Sequence, residues 1–379
     1  MPSDGAQLNS AAAAVIDDFG SLISVSDVNL KSVRTVLAGS AYLTQQLNTA
    51  SACGDLAAID ILVPGSNLGG AYTADTRRMA VSPVMLDDPV ETAFVLGHET
   101  QHALNRRQVD KADQRFQTEL VNAATGDRNY TAATEQMIKA LREDEARANL
   151  AGWNAMIDYL HDQHPGLTLT DVARETPRTA DFLHRTPSGR VRLRPDLTAD
   201  RRMQFDFTPD NVEAMGRAYF DKPPHQARLG RHGNSDYANR YGAWIVGAVA
   251  ECDRHHHPKP SRPLRLDLAR CGLRRDLMEQ NGIDFGSVDH EPMACLDAST
   301  EPAVTEHLHH TAHSHPHQPD LHQSDHQQQS TALPPFTLAG LSFAQRPVRP
   351  PRTTAPTDPR RLGDCARPPV RSPRATVER

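Results

Sequence analysis

A chain of 379 residues is long enough for two or three domains, but an apolar fraction of 38% and a mean hydropathy of −0.57 leave material for a core along part of it. With 41 basic against 47 acidic side chains, the formal charge of −6 supplies no broad positive field, which argues against a nucleic-acid or anionic-membrane binder. Five scattered cysteines (Cys53, Cys252, Cys271, Cys295, Cys365) without a Cys-x-x-Cys pair indicate neither a disulfide framework nor a thiolate zinc site.

The run Ala11–Ile16 meets Asp17 and Asp18 too soon for a secretory signal. No later segment reaches the ~20 apolar residues that span a bilayer, so the chain is expected to be soluble and cytoplasmic when made. Residues from about 10 to 50 read as helices, with Leu30, Val33, Leu37, Tyr42, Leu43 and Leu47 at apolar positions. Three strands follow: Ile59 to Val63, ended by Pro64-Gly65-Ser66-Asn67; Gly69 to Thr73; and Arg77 to Met85. Asp88 is expected to cap the next helix, with Pro89 at its first position and Glu91 closing a capping box. That helix is predicted to end near Arg106, and one or two more to run from Ala132 to about Asp162. Beyond Gly166, strand and turn signals mix until helices at Pro209–Asp221 and Asp236–Cys252. Leu264–Leu277 and Ile283–Gly286 are expected to pack on the core. From residue 298 the chain turns His/Gln-rich and then Pro/Arg-rich, a composition that cannot offset ordering entropy and so predicts a disordered tail over 298–379. Residues 1–297 then form the folded part, with a motif core at about 55–160 and a helical extension at about 166–297.

The sequence His98-Glu99-Thr100-Gln101-His102 falls on the Asp88-capped helix. Histidines at i and i+4 project from one helical face, so their ring nitrogens can converge on one ion. Zinc in a hydrolase takes three protein ligands and keeps a fourth position for water, whose pKa it lowers. His98 and His102 are therefore candidate ligands and Glu99 the candidate general base. Two surface histidines beside an ordinary glutamate would give the same letters, but the apolar flanks Ala93–Gly97 and Ala103-Leu104 favour a buried site. Gly97 also leaves room for a neighbouring backbone or the ion. A third ligand is sought in Glu143-Asp144-Glu145. Glu145 shares a helical face with Ile138, Leu141, Ala148 and Gly152, and a carboxylate on a buried face needs a partner. Glu143 lies with Lys139 and Arg147 and is the fallback; Asp144 ranks third. Asn149, one turn beyond Glu145, is a candidate to support a ligating histidine.

These residues resemble the gluzincin branch of the zincin metallopeptidases, with HExxH on one helix and a glutamate from a later one. His98, Glu99 and His102 match fully; Asn149 stands where an aspartate is commoner, and the extension of the metzincin branch is missing at Asn105 and Arg106. The resemblance covers about residues 55–160. It implies an α+β, mainly helical zincin-like domain with a small antiparallel sheet before the HExxH helix. It also implies a Zn2+ cofactor, a peptide or protein substrate, and an edge strand, here Arg77–Ser82, on which the substrate extends. More loosely, the layout is similar to bacterial secreted effector or toxin domains of zincin type, which would leave the cell without a Sec signal. A non-catalytic zincin-like binding module, its metal structural or absent, is the alternative.

Other residues fit blander roles. Tyr237, Tyr241 and His232 are candidate oxyanion donors, though a bonded core tyrosine is commoner. His255-His256-His257 and the tail histidines His307, His309, His310, His313, His315 and His317 read as polar low-complexity sequence. The terminal arginines (Arg346 to Arg379) can serve a partner such as a secretion receptor or form a solvated end.

Overall fold

Polar caps start the N-terminal helices where the sequence places them. Asn9 accepts from the backbone of Ala12 ahead of α1 (Ser10–Gly20), Ser26 and Asn29 cap α2 (Asp27–Gly39) reciprocally, and Ser40 caps α3 (Ala41–Ala52). The computed structural model describes residues 7–22, 25–62, 68–230, 233–286, 291–297 and 301–312.

Strands β1 (Ala58–Ile61), β2 (Gly70–Thr73) and β3 (Arg78–Val81) form a sheet in the order β1-β3-β2, with β1 parallel and β2 antiparallel to β3. The sheet precedes the HExxH helix as expected and is mixed. β3 is central, so Arg77–Ser82 is not the edge expected; β1 and β2 are the edges of this sheet. The chain also leaves the strand earlier than predicted, because Pro83 opens a helical turn, α4 (Pro83–Leu86).

Asp88 caps α5 (Pro89–Thr125) through the Val90 amide, with Pro89 at its first position. Glu91 does not close a capping box; it binds Thr176 and Arg178 instead. α5 passes the predicted end at Arg106 because the polar stretch beyond it hides a buried stripe of Asp113, Phe116, Leu120 and Ala124, spaced three and four apart. A turn with Arg128 in the left-handed region (φ 61°) leads into α6 (Thr131–Gln163), which returns antiparallel along α5. Arg128 and Tyr130 both bind the buried Asp253 carboxylate, tying that turn to the helix at Tyr237–His256.

The chain continues through α7 (Leu169–Glu175), a 3-10 turn at Pro177–Asp181, and the hairpin β4 (Leu183–Arg185) and β5 (Val191–Leu193). Next come α8 (Pro209–Met215), running into a π-helical turn at Gly216–Phe220, α9 (Pro224–Ala227) and α10 (Tyr237–His256). β6 (Leu264–Arg265), α11 (Arg275–Asn281), β7 (Met293–Asp297) and β8 (Val304–Leu308) complete the described chain. β8 pairs antiparallel with β7, and His310 is buried where it accepts from the Phe285 amide. Order therefore extends past the predicted boundary at 297, and His307, His309 and His310 belong to the fold. Residues 313–379, with the remaining tail histidines and terminal arginines, lie outside the described residues.

Two apolar cores result. One joins α1–α3, the first sheet, the start of α5 and the end of α6; the other joins the end of α5, the start of α6, α10, α11 and the third sheet. The middle of the α5–α6 pair, where His98, His102 and Glu145 sit, lies between them.

Candidate metal centre

Small residues set the spacing of the two central helices. A Cβ on Gly97 would stand 2.6 Å from the Ala155 Cβ and 3.0 Å from the Ala151 carbonyl oxygen, and one on Gly152 would stand 2.8 Å from the Phe94 carbonyl oxygen. The backbones therefore approach closely in the turn that leads into the motif, and α6 lays its acidic segment against the histidines.

His98 Nε2 and His102 Nε2 are 3.1 Å apart, and Glu145 Oε2 is 3.6 Å from the first and 3.9 Å from the second. A point in the plane of these three atoms lies about 2.1 Å from each, matching a zinc–nitrogen bond of ~2.0–2.1 Å. His98 and Glu145 are buried and His102 is half-buried, and their ligand atoms form the one such metal-capable group among the described residues. The site can hold a metal ion.

Support around the group is unequal. Asp144 Oδ2 lies 2.8 Å from His102 Nδ1, which orients the ring with Nε2 toward the centre. Asp144 is in turn held by Asn105 Nδ2 at 2.8 Å; Gln101 donates to Asn105 at 2.7 Å and Gln46 to Gln101 at 3.0 Å. Tyr241 donates to Glu145 Oε1 at 2.6 Å, leaving Oε2 for an ion. His98 Nδ1 is buried without a hydrogen-bond partner, and its ring is held by packing on Phe94 at 6.2 Å and Tyr219 at 6.1 Å between centroids.

Burial dominates the electrostatics of these groups. It pushes the Glu99 carboxyl up to about 7; the His102 charge opposes that rise and Glu145 adds to it. Burial likewise raises Glu145 against the pull of His102 and the Tyr241 hydroxyl, and it lowers His98 together with the charges of His102 and Arg178. Burial also disfavours a charged His102, but the Asp144 charge and hydrogen bond, reinforced by Glu145 and Glu99, win and raise it to about 10.

Glu145 thus joins the histidines, and Glu143, the fallback, is outside the group. Asp144 serves as the histidine's outer partner. The support expected of Asn149 is not made; its amide faces the Met215 sulfur at 3.1 Å. Tyr241 binds Glu145, Tyr237 pairs with the Tyr219 hydroxyl, and His232 lies outside the described residues. Sequence reasoning missed Tyr219 and Arg178. The first rides the π-helical turn, whose irregular ladder has no simple sequence signature. The second sits on the 3-10 turn, where Thr176-Pro177 was the available signal.

Comparisons with known proteins give no match: no family model, curated protein or solved structure is significantly similar to this chain. The likeness to gluzincins accordingly stands on the residues of the site. Among the described residues, no helix is long and apolar enough to cross a membrane.

Proposed function

We propose that this chain is a zinc-dependent peptidase of gluzincin type. The carrying observation is the convergence of two imidazoles and a carboxylate within 3.1–3.9 Å of one another, with the buried carboxyl of Glu99 on the same helix. A two-histidine, one-glutamate donor set suits zinc in hydrolases, and the Asp144 contact at His102 Nδ1 turns Nε2 toward the centre, where it becomes a donor once its proton leaves.

Zinc bound there would supply Lewis acidity and a water nucleophile near neutral pH. Glu99, buried on the same helix, would be the base that takes a proton from such a water and returns it to the leaving amine. Asp144 keeps His102 oriented throughout. The Tyr219–Tyr237 hydroxyl pair lies on the His98 side, where a phenol can donate to a carbonyl oxygen as charge grows on it. β2 offers an edge beside Glu99 on which an extended peptide gains main-chain hydrogen bonds. A secreted-effector setting rests on the sequence resemblance alone.

One observation favours a second reading, a structural metal in a non-catalytic module. The side chains of His98, His102 and Glu145 are 11%, 14% and 7% exposed, a narrow approach for a substrate. Glu99→Gln separates the two. The peptidase reading expects this variant to keep zinc and fold while losing cleavage of a peptide library; a wild-type protein that binds zinc yet cleaves nothing supports the structural reading.

A further inference from the structure

Arg178 presents an uncommitted guanidinium edge beside the centre. Its Nε donates to Glu91 Oε2 at 2.5 Å, and the Thr176 hydroxyl binds the same carboxylate, so the arginine is clamped from behind. Its guanidinium carbon stands 5.0 Å from the centroid of Phe94, the ring that stacks on His98. Nη2 meets the Met85 sulfur at 3.4 Å, a weak acceptor, and neither Nη hydrogen-bonds a carboxylate or carbonyl among the described residues. The side chain is 30% exposed, so this edge is reachable. Lys222, a second cation nearby, is spent on Asp181 at 2.5 Å and on the Tyr219 ring.

The start of β2 connects this edge to the reactive carboxyl. A Cβ on Gly69 would stand 2.9 Å from Arg178 Nη2, and one on Gly70 would stand 2.8 Å from Glu99 Oε1. Two successive residues without side chains thus let the backbone pass close to both the guanidinium and the carboxyl, one residue step apart. Two Nη groups in a planar fork match the two oxygens of a carboxylate.

We propose that Arg178 forms a carboxylate-binding subsite, so that the centre takes peptides bearing an acidic side chain or a free C-terminus next to the bond facing Glu99. The selectivity in cleavage rests on the peptidase reading; the selectivity in binding does not. The test uses zinc-loaded full-length Glu99→Gln protein and fluorescent peptides that differ by Glu against Gln internally, or by free acid against amide at the C-terminus. Anisotropy should show the anionic member of one pair binding on the order of tenfold tighter, as expected for a charge-assisted bidentate contact. Which pair responds identifies the source of the carboxylate. Adding Arg178→Gln should bring the ratio close to one. Arg178→Lys, which keeps the charge against Glu91 and hence the fold, should also lose most of it. Equal binding of both members in both pairs, or a ratio unchanged by either Arg178 variant, overturns the proposal. Charge-selective binding without any peptide cleavage by the wild type would leave the subsite standing and remove the peptidase reading.

Discussion

Gly97→Ala asks whether the close approach of α5 and α6 builds the site. In an isolated helix this change would stabilise, by about 1 kcal/mol. Here the new methyl would stand 2.6 Å from the Ala155 Cβ, 3.0 Å from the Ala151 oxygen and 3.2 Å from the Gly152 Cα, all fixed parts of α6. Carbon atoms at rest are separated by ~3.5–4.0 Å, so the helices must part by about 1 Å. Overpacking of this kind costs about 1–3 kcal/mol, which exceeds the propensity gain in most of its range. The same displacement carries His98 and His102 away from Glu145, so zinc affinity should fall together with stability. Gly152→Ala meets the Phe94 oxygen at 2.8 Å and should act alike. Because either methyl opens the same gap, the double variant should cost less than the sum of the singles. Chemical denaturation of the metal-free protein and competition titration with a zinc chelator measure both effects. A Gly97→Ala protein at least as stable as the wild type, with unchanged zinc affinity, would refute the packing argument.

Three further outcomes follow from the site's hydrogen bonds and charges. Asp144→Ala removes the Nδ1 partner of His102 and should weaken zinc binding about 10–100-fold, while Glu143→Ala should leave it unchanged; chelator competition checks both. Tyr241→Phe deletes a donor to the buried Glu145 carboxylate and should lower metal-free stability by about 1–3 kcal/mol, measured by urea unfolding. In the metal-free protein, His102 is raised from 6.5 to about 10, so its contribution to stability is present below about 6.5 and is lost as pH rises through about 10. The same proton must leave when zinc binds. Apparent zinc affinity should therefore climb by about tenfold per pH unit from 7 toward 10, with about one proton released per ion in calorimetry across buffers. A flat pH profile would show that His102 does not carry that proton.

The helix that carries the motif was legible because its start is written in local chemistry: Asp88 and Pro89 specify a cap without reference to the rest of the fold. Glu145 was legible for a related reason, since its helical spacing to Leu141, Ala148 and Gly152 marks a buried face. The far half of α5 was hidden because Phe116, Leu120 and Ala124 are sparse among polar residues, and their face is apparent once the second core covers it. Strand order carries no comparable local mark, so the centrality of β3 was missed. Nothing along α6 itself distinguishes Asp144 from Glu143; its role comes from α5, which brings His102 and Asn105 to it. β8 was lost to composition: Val304, Glu306 and Leu308 alternate along a strand, but the neighbouring histidines and polar residues suggested a tail.

Zinc content of single-residue variants bears most directly on the central claim. Purified wild type and Glu143→Gln, dialysed against buffered zinc, should each carry about one zinc per chain by elemental analysis. His98→Ala, His102→Ala and Glu145→Gln should each lose it while keeping a cooperative melting transition. Zinc retained at full occupancy in Glu145→Gln, or never bound by the wild type, would contradict a centre built from these three side chains.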